Sequence, residues 1–205
     1  MTAGDPSTLE PLLRRGALDA SAALSKWLGR PATITIKRLE QLPVEAAAGA
    51  LGTSAEPICV AAMTMSGAVE GVLLLACDDA AGLSLCDTLL ERPSGSSTAW
   101  DEVERSGILE TANIIGCSYL GGIAAAARGA GAEIMPSPPL FVRDFAGPVM
   151  EALLMERAAA RAAVFLARTE FVVDGTPIRC GLLFVPDADS LRDIEAGLAS
   201  GRPAP

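Results

Sequence analysis

Apolar residues recur at helical spacing from Leu9 to Leu28, and Gly29, Arg30 and Pro31 then close the run with a helix stop. "ATITIK" (32–37) alternates as a strand does. "PICVAAMTM" (57–65) and "EGVLLLAC" (70–77) are two apolar runs around Ser66–Gly67, the pattern of a hairpin. "DDAAGLSLCDTLLER" (78–92) opens on an Asp cap and carries a stripe of Leu83, Leu85, Leu89 and Leu90, which predicts an amphipathic helix. "PSGSST" (93–98) has the composition of a linker.

Beyond that linker the order repeats. A long helix is expected from about Ala99 to Ala127, a short strand over "AEIMPS" (132–137) and a helix over about 145–160. "AVFLARTEFVV" (163–173) and "PIRCGLLFVP" (177–186) flank Asp174–Gly175, a strong hairpin signal. "DADSLRDIEAGL" (187–198) is a closing helix behind another Asp. Both halves therefore run helix, strand, hairpin, helix, and "GVLLLACDDAAGLSLCDTL" (71–89) matches "GLLFVPDADSLRDIEAGL" (181–198) in letters. This predicts an internal duplication within one α+β domain spanning 1–205, with half-repeats at about 9–92 and 99–199. The two halves would share an open, mostly antiparallel sheet with helices on its faces. The tails 1–8 and 200–205 are expected to be disordered.

Composition narrows the function. Hydrophobic residues make up 50 % of the chain and aromatics only 4 %, so helices should pack closely through small side chains. The net charge is −9 with no basic run, which argues against nucleic acid and against an anionic membrane surface. The uncharged stretch Thr111–Ala127 is shorter than the roughly 20 residues of a spanning helix. Cys59, Cys77, Cys86, Cys117 and Cys180 show no metal-ligand spacing and mostly sit in apolar runs, as buried thiols do. Their odd number and the lack of a secretory leader point to the cytoplasm. The absence of histidine removes Ser-His and Cys-His nucleophiles and the commonest metal ligand. No Walker loop and no GxGxxG is present, so neither a metal nor a nucleotide is expected on this chain.

One stretch does not fit a plain core helix. In "SGILETANII" (106–115), Ser106, Glu110 and Asn113 stand at i, i+4 and i+7 and share a face. Ile108, Ala112, Ile115, Tyr119 and Ile123 form the opposite stripe, at roughly 100° per residue. Past Asn113 the front is expected to continue as Gly116, Cys117, Gly121 and Ala124, small and uncharged. A solvated face normally carries more Lys, Arg and Glu, whereas a carboxylate and an amide beside small residues suit close approach by a partner. The spacing alone is also common on ordinary exposed helices.

The stretch resembles the [D/S]-x3-E-x2-N motif of the CheC/CheX/FliY family of response-regulator phosphatases, with Ser106, Glu110 and Asn113 in its three positions. The following "IIGCSYL" is similar to the family's N-I-x-x-x-S-Y continuation. "ALDASAALSKWLGRPATITI" (17–36) and "LARTEFVVDGTPIRCGLLFVPDADSL" (166–191) resemble its first helix and strand and its closing hairpin and helix. The resemblance implies a CheC-like pseudo-two-fold repeat, a central sheet with two long helices that each have a motif position. In the first helix it places Pro11 where the Glu would be and Arg14 where the Asn would be. Neither can do that chemistry, so a single intact motif is expected.

The implied activity is hydrolysis of the aspartyl phosphate on a CheY-like receiver domain. The receiver supplies the phospho-Asp, a Mg²⁺ and a Lys, and this chain binds no cofactor of its own. Asn113 would orient the attacking water, Glu110 would dock on the receiver Lys, and Ser106 would either add a partner contact or bond its own helix backbone. The alternatives are a non-catalytic adaptor that binds a receiver or a CheD-like protein, and a structural part of a flagellar switch. The last is disfavoured because FliY-like proteins usually carry a further C-terminal rotor domain and this sequence stops at Pro205.

Overall fold

The computed structural model describes residues 6–43, 46, 49, 56–127, 133–158, 164–173 and 175–199. In chain order the elements are α1 (Pro6–Leu28), β1 (Ala32–Leu42), β2 (Pro57–Gly67), β3 (Gly71–Asp78), α2 (Asp79–Leu89) and α3 (Glu102–Ala127). They continue with β4 (Ile134–Pro136), β5 (Leu140–Phe145), α4 (Ala146–Ala158), β6 (Val164–Val173), β7 (Thr176–Pro186) and α5 (Ala188–Ala199). Together they form an α+β fold on one antiparallel sheet, in the order β1-β6-β7-β3-β2-β4, with β5 also paired to β2.

The duplication is visible in the register. Laying one half on the other puts Gly71 on Gly181 and Ala76 on Pro186. In the central ladder Gly71 pairs with Pro186 and Ala76 with Gly181. The exchange of halves thus carries the β3–β7 ladder onto itself, as a local two-fold axis requires. The edges are exchanged as well. β1 of the first half pairs with β6 of the second, and β5 of the second pairs with β2 of the first. Strands of both halves therefore share one sheet.

The near-continuous apolar runs of β2 and β3 follow from burial on both faces. Cys59, Ala61, Met63, Leu73, Leu75 and Cys77 point into the core under α1 and α3. Ile58, Val60, Ala62, Val72, Leu74 and Ala76 point to a second cluster with Ala146, Val149 and Met150 of α4. Successive strand residues face opposite sides, so a central strand covered on both must be apolar throughout.

α1 is fastened to the sheet edge by two serines one turn apart. The β1 backbone N–H of Ile34 donates to Ser21 Oγ at 2.8 Å, and that of Ala32 to Ser25 Oγ at 2.9 Å. The "SAALS" stretch thereby satisfies backbone donors of an edge strand.

Several sequence expectations shift in detail. β1 continues to Leu42, and the β2–β3 turn falls at 68–70 rather than at Ser66–Gly67. The helix expected over 78–92 ends at Leu89, and the long helix starts at Glu102 rather than Ala99. α2 buries Gly82, Leu85, Cys86 and Asp87, while Leu83, Leu89 and Leu90 are only half-buried. β5, "LFVRDF", was not expected, since Pro138–Pro139 precedes it and Arg143 and Asp144 interrupt its apolar pattern. The two tails, Asp174, Ala132 and the end of the helix expected to 160 lie wholly or largely outside the described residues.

Candidate functional site

α3 carries all three motif residues. Ser106 and Glu110 are exposed and Asn113 is half-buried, on one continuous face. Ile108, Ala112, Ile115, Tyr119 and Ile123 on the opposite face are all buried in the main core. Among the described residues, Glu110 has no ion-pair partner, so its carboxylate is available to a partner. Asn113 Oδ1 accepts a weak hydrogen bond from the Cys117 thiol at 3.8 Å.

The front of α3 differs from the expectation past Asn113. Cys117 and Gly121 are exposed, but Gly116 and Ala124 turn inward. The space a Cβ would take at Gly116 is filled by the Met63 side chain, so the missing side chain lets α3 lie directly on the sheet. A Cβ on Gly16 of α1 would stand 2.7 Å from Tyr119 Cδ1 and 2.9 Å from its Cα, which sets how closely α1 approaches α3. Small residues thus fix the height and rotation of the motif helix.

The start of α3 is held by two polar anchors that the sequence did not reveal. Asp87, buried in α2, accepts backbone N–H groups of Gly95, Ser96 and Ser97 at 2.7, 3.0 and 2.7 Å. The "PSGSST" segment is therefore a fastened loop, not a loose linker. Burial opposes the charge on Asp87, but its bonds to Ser97, Gly95 and Ser96 outweigh this and hold the carboxyl below its ordinary value. Next to it, buried Glu104 in the first turn of α3 pairs with Arg92 at 2.6 Å.

The second anchor lies against β5. Asp79 accepts Arg143 Nε at 2.8 Å, Arg143 Nη2 at 2.7 Å and the Trp100 indole N–H at 2.7 Å. Arg143 first, aided by Trp100, holds the Asp79 carboxyl below its ordinary value. The Trp100 ring meets Phe141 at 5.0 Å between centroids, and Arg105 lies over Phe141 at 5.6 Å. Asp79 and Arg143 lie far apart in the chain, and only the unforeseen β5 brings them together. No sequence spacing announced them.

At the two compared positions of the first helix, neither Pro11 nor Arg14 supplies a carboxylate or an amide. Pro11 and Arg14 are both exposed on α1, and Arg14 donates to Glu10 at 2.6 and 2.8 Å and to the Ile36 carbonyl at 3.4 Å. Among the described residues no group of three or more His, Cys, Asp or Glu is placed to hold a metal ion. Cys59, Cys77, Cys86 and Cys180 are buried free thiols, as expected, and Cys117 is the exposed exception. Among the described residues no helix is long and apolar enough to cross a membrane.

A duplicated antiparallel sheet with exchanged edge strands and a paired α1 and α3 is the fold of FliY and of the FliM middle domain. The chain superposes on FliY from Thermotoga maritima with a TM-score of 0.76 at 17% identity, covering 98% of this chain and 99% of that one. It superposes on the FliM middle domain from H. pylori with a TM-score of 0.68 at 11% identity, covering 96% and 99%. FliM in a FliG–FliM complex from H. pylori aligns with a TM-score of 0.65 at 9% identity, covering 90% and 95%. At these identities the likeness is one of fold. No protein-family model and no curated protein matches the chain by sequence.

Proposed function

We propose that this protein hydrolyses the aspartyl phosphate of a CheY-like receiver domain. The observation that carries the reading is the line of Ser106, Glu110 and Asn113 along one open face of a helix held rigidly at its back and its start. Phosphoryl transfer to water asks mainly for positioning and charge stabilisation, and the receiver brings its own Mg²⁺ and Lys. The Asn113 amide oxygen accepts from the attacking water while its nitrogen donates to a phosphoryl oxygen. Glu110 receives the receiver Lys in a charge-assisted bond. Ser106, a turn before Glu110, adds a hydroxyl contact. The reaction takes place in the cytoplasm, with no cofactor on this chain.

The test is phosphate release from each phosphorylated CheY-like receiver of the same organism, with and without a CheD-like protein. Asn113→Ala should lower turnover by about a hundredfold, the scale for losing one preorganised polar group. Full activity in that variant would end the water-orienting role.

A second reading is a non-catalytic adaptor. It is favoured by the fold shared with FliM, a protein solved in complex with FliG, and by the loss of motif chemistry at Pro11 and Arg14. Tight receiver binding without any faster phosphate release would decide for it.

A further inference from the structure

An open groove of about 480 Å³ runs beside Ser106, lined by Trp100, Asp101, Glu102, Arg105, Ser106 and Leu109. It is continuous with the motif face through Ser106 but contains none of the reacting groups. We infer that this groove is the second docking point of the receiver, and that Arg105 selects receivers carrying a carboxylate opposite it. The inference rests on the receiver reading above and adds a specificity residue to it.

Three observations carry it. The first is reach. A stable partner covers about 800 Å² of each surface, a patch about 16 Å in radius. Arg105 precedes Asn113 by about 12 Å of helix rise, so a receiver centred on Asn113 extends over it. The second is charge. Among the described residues of α3, Arg105 is the single basic side chain, and Glu110 lies farther along the same helix. Glu104 is taken up by Arg92, and Asp101 and Glu102 flank Arg105 in the groove. Arg105 is therefore the one point on this helix that can accept a receiver carboxylate while Glu110 accepts a Lys, and the two together fix the direction in which a receiver lies. A Lys on the receiver meets Glu110 and a carboxylate meets Arg105. Opposed charges of this kind set register and reject wrong partners.

The third is rigidity. Arg105 Nε donates to the Trp100 carbonyl at 2.8 Å and the guanidinium lies over Phe141, so its plane is set before a partner arrives. Trp100 is itself held by Asp79. A preset guanidinium loses less freedom on binding, and Trp and Arg are the residues that most often dominate interfaces.

The experiment titrates Arg105→Glu, Arg105→Ala and the parent protein with the beryllofluoride-charged receiver, alongside phosphate-release kinetics. Binding does not depend on turnover, so the groove is tested whether or not the protein is a phosphatase. Arg105→Glu should weaken binding and raise KM by about tenfold or more, and Arg105→Ala by less, with kcat nearly kept. Thermal unfolding at the parent's temperature shows that both variants are folded. Reversing one acidic residue of the receiver to Lys should restore affinity for Arg105→Glu. Unchanged affinity and KM in both Arg105 variants, or a parent that binds no receiver, overturns the inference. Loss of activity in Asn113→Ala with normal binding by both Arg105 variants would sink the groove and leave the phosphatase reading standing.

Discussion

Cys117 lies one helical turn beyond Asn113, and its thiol donates to the Asn113 amide oxygen at 3.8 Å on the exposed face of α3. That contact turns Oδ1 toward Cys117. The receiver Lys would sit near Glu110, so the phosphoryl group it contacts would lie on that side too, with the water nearer Cys117. Cys117→Ser keeps a donor and should keep turnover. Cys117→Ala should lower kcat by about threefold, the scale of one weak hydrogen bond, without changing receiver affinity. The other four thiols are buried, and burial pushes Cys86 up to about 12. A methanethiosulfonate should therefore cap Cys117 selectively. The thiolate attacks the thiosulfonate sulfur, a methyl disulfide forms and methanesulfinate leaves. Phosphate release should fall and return with dithiothreitol, and the Cys117→Ser variant should be indifferent. Equal sensitivity of that variant would rule the contact out.

The docking role proposed for Glu110 asks for a carboxylate that is open to a partner. It is exposed and free of ion pairs among the described residues. Glu110→Gln keeps size and removes charge, so it should raise KM by about tenfold while kcat at saturating receiver changes little. The effect should shrink in high salt, because exposed charges are screened. A variant with parental KM at low ionic strength would count against docking on a Lys.

Acid should loosen the motif helix before it unfolds the sheet. The carboxyls of Asp87, Asp79 and Glu104 are all held below their ordinary values of 3.8, 3.8 and 4.5. A lowered folded value means stability that is complete above the unfolded value and lost as pH falls through the folded one. Urea midpoints should therefore hold steady from neutral pH to about 4.5 and decline below about pH 4. Asp87→Ala leaves three backbone N–H groups without their acceptor and should cost about 2–3 kcal/mol at neutral pH. Its decline with acid should also be shallower than the parent's. Parallel acid limbs would show that Asp87 does not contribute.

These anchors mark where the sequence stops being legible. The repeat, both hairpins and the opposed faces of α3 follow from periodicity and turn residues, which are local signals. Ile108, Ala112, Ile115, Tyr119 and Ile123 could be assigned to the core because helical geometry alone decides it. Gly116 was placed on the front by the same arithmetic and is buried, because the contact with Met63 depends on how far α3 sinks onto the sheet. Asp87 reads as one more polar residue in an amphipathic helix until the loop folds back on it. Asp79 and Arg143 meet only once β5 pairs with β2. What was missed depends on long-range pairing, and no window along the chain contains it.

Gly16→Ala tests how much the site depends on the α1–α3 contact. In an exposed helix this change stabilises by about 1 kcal/mol. Here the new methyl would stand 2.9 Å from Tyr119 Cα, a backbone atom that moves only if α3 moves. Overpacking of this kind costs about 1–3 kcal/mol, so the net effect should be destabilising. Phosphate release should fall as well, since the motif rides on the displaced helix. A urea midpoint above the parent's would mean that the helices part without cost.

The first helix supplies the last test. Arg14 occupies the position that resembles the motif Asn, yet its guanidinium is taken up by Glu10 and the Ile36 carbonyl. Pro11, at the position of the Glu, has no side chain that can meet a Lys. Ser21 and Ser25, in contrast, bond the β1 backbone and hold the edge strand. On the proposed one-site account α1 serves packing and α3 meets the receiver. Arg14→Ala should leave phosphate release and receiver affinity within about twofold of the parent, because an exposed i,i+4 pair contributes only about 0.3–0.5 kcal/mol. Ser25→Ala should instead lower the urea midpoint, since it strips an acceptor from the Ala32 N–H at the sheet edge. A large loss of activity in Arg14→Ala with an unchanged urea midpoint would mean that α1 also faces the receiver and that the one-site account is wrong.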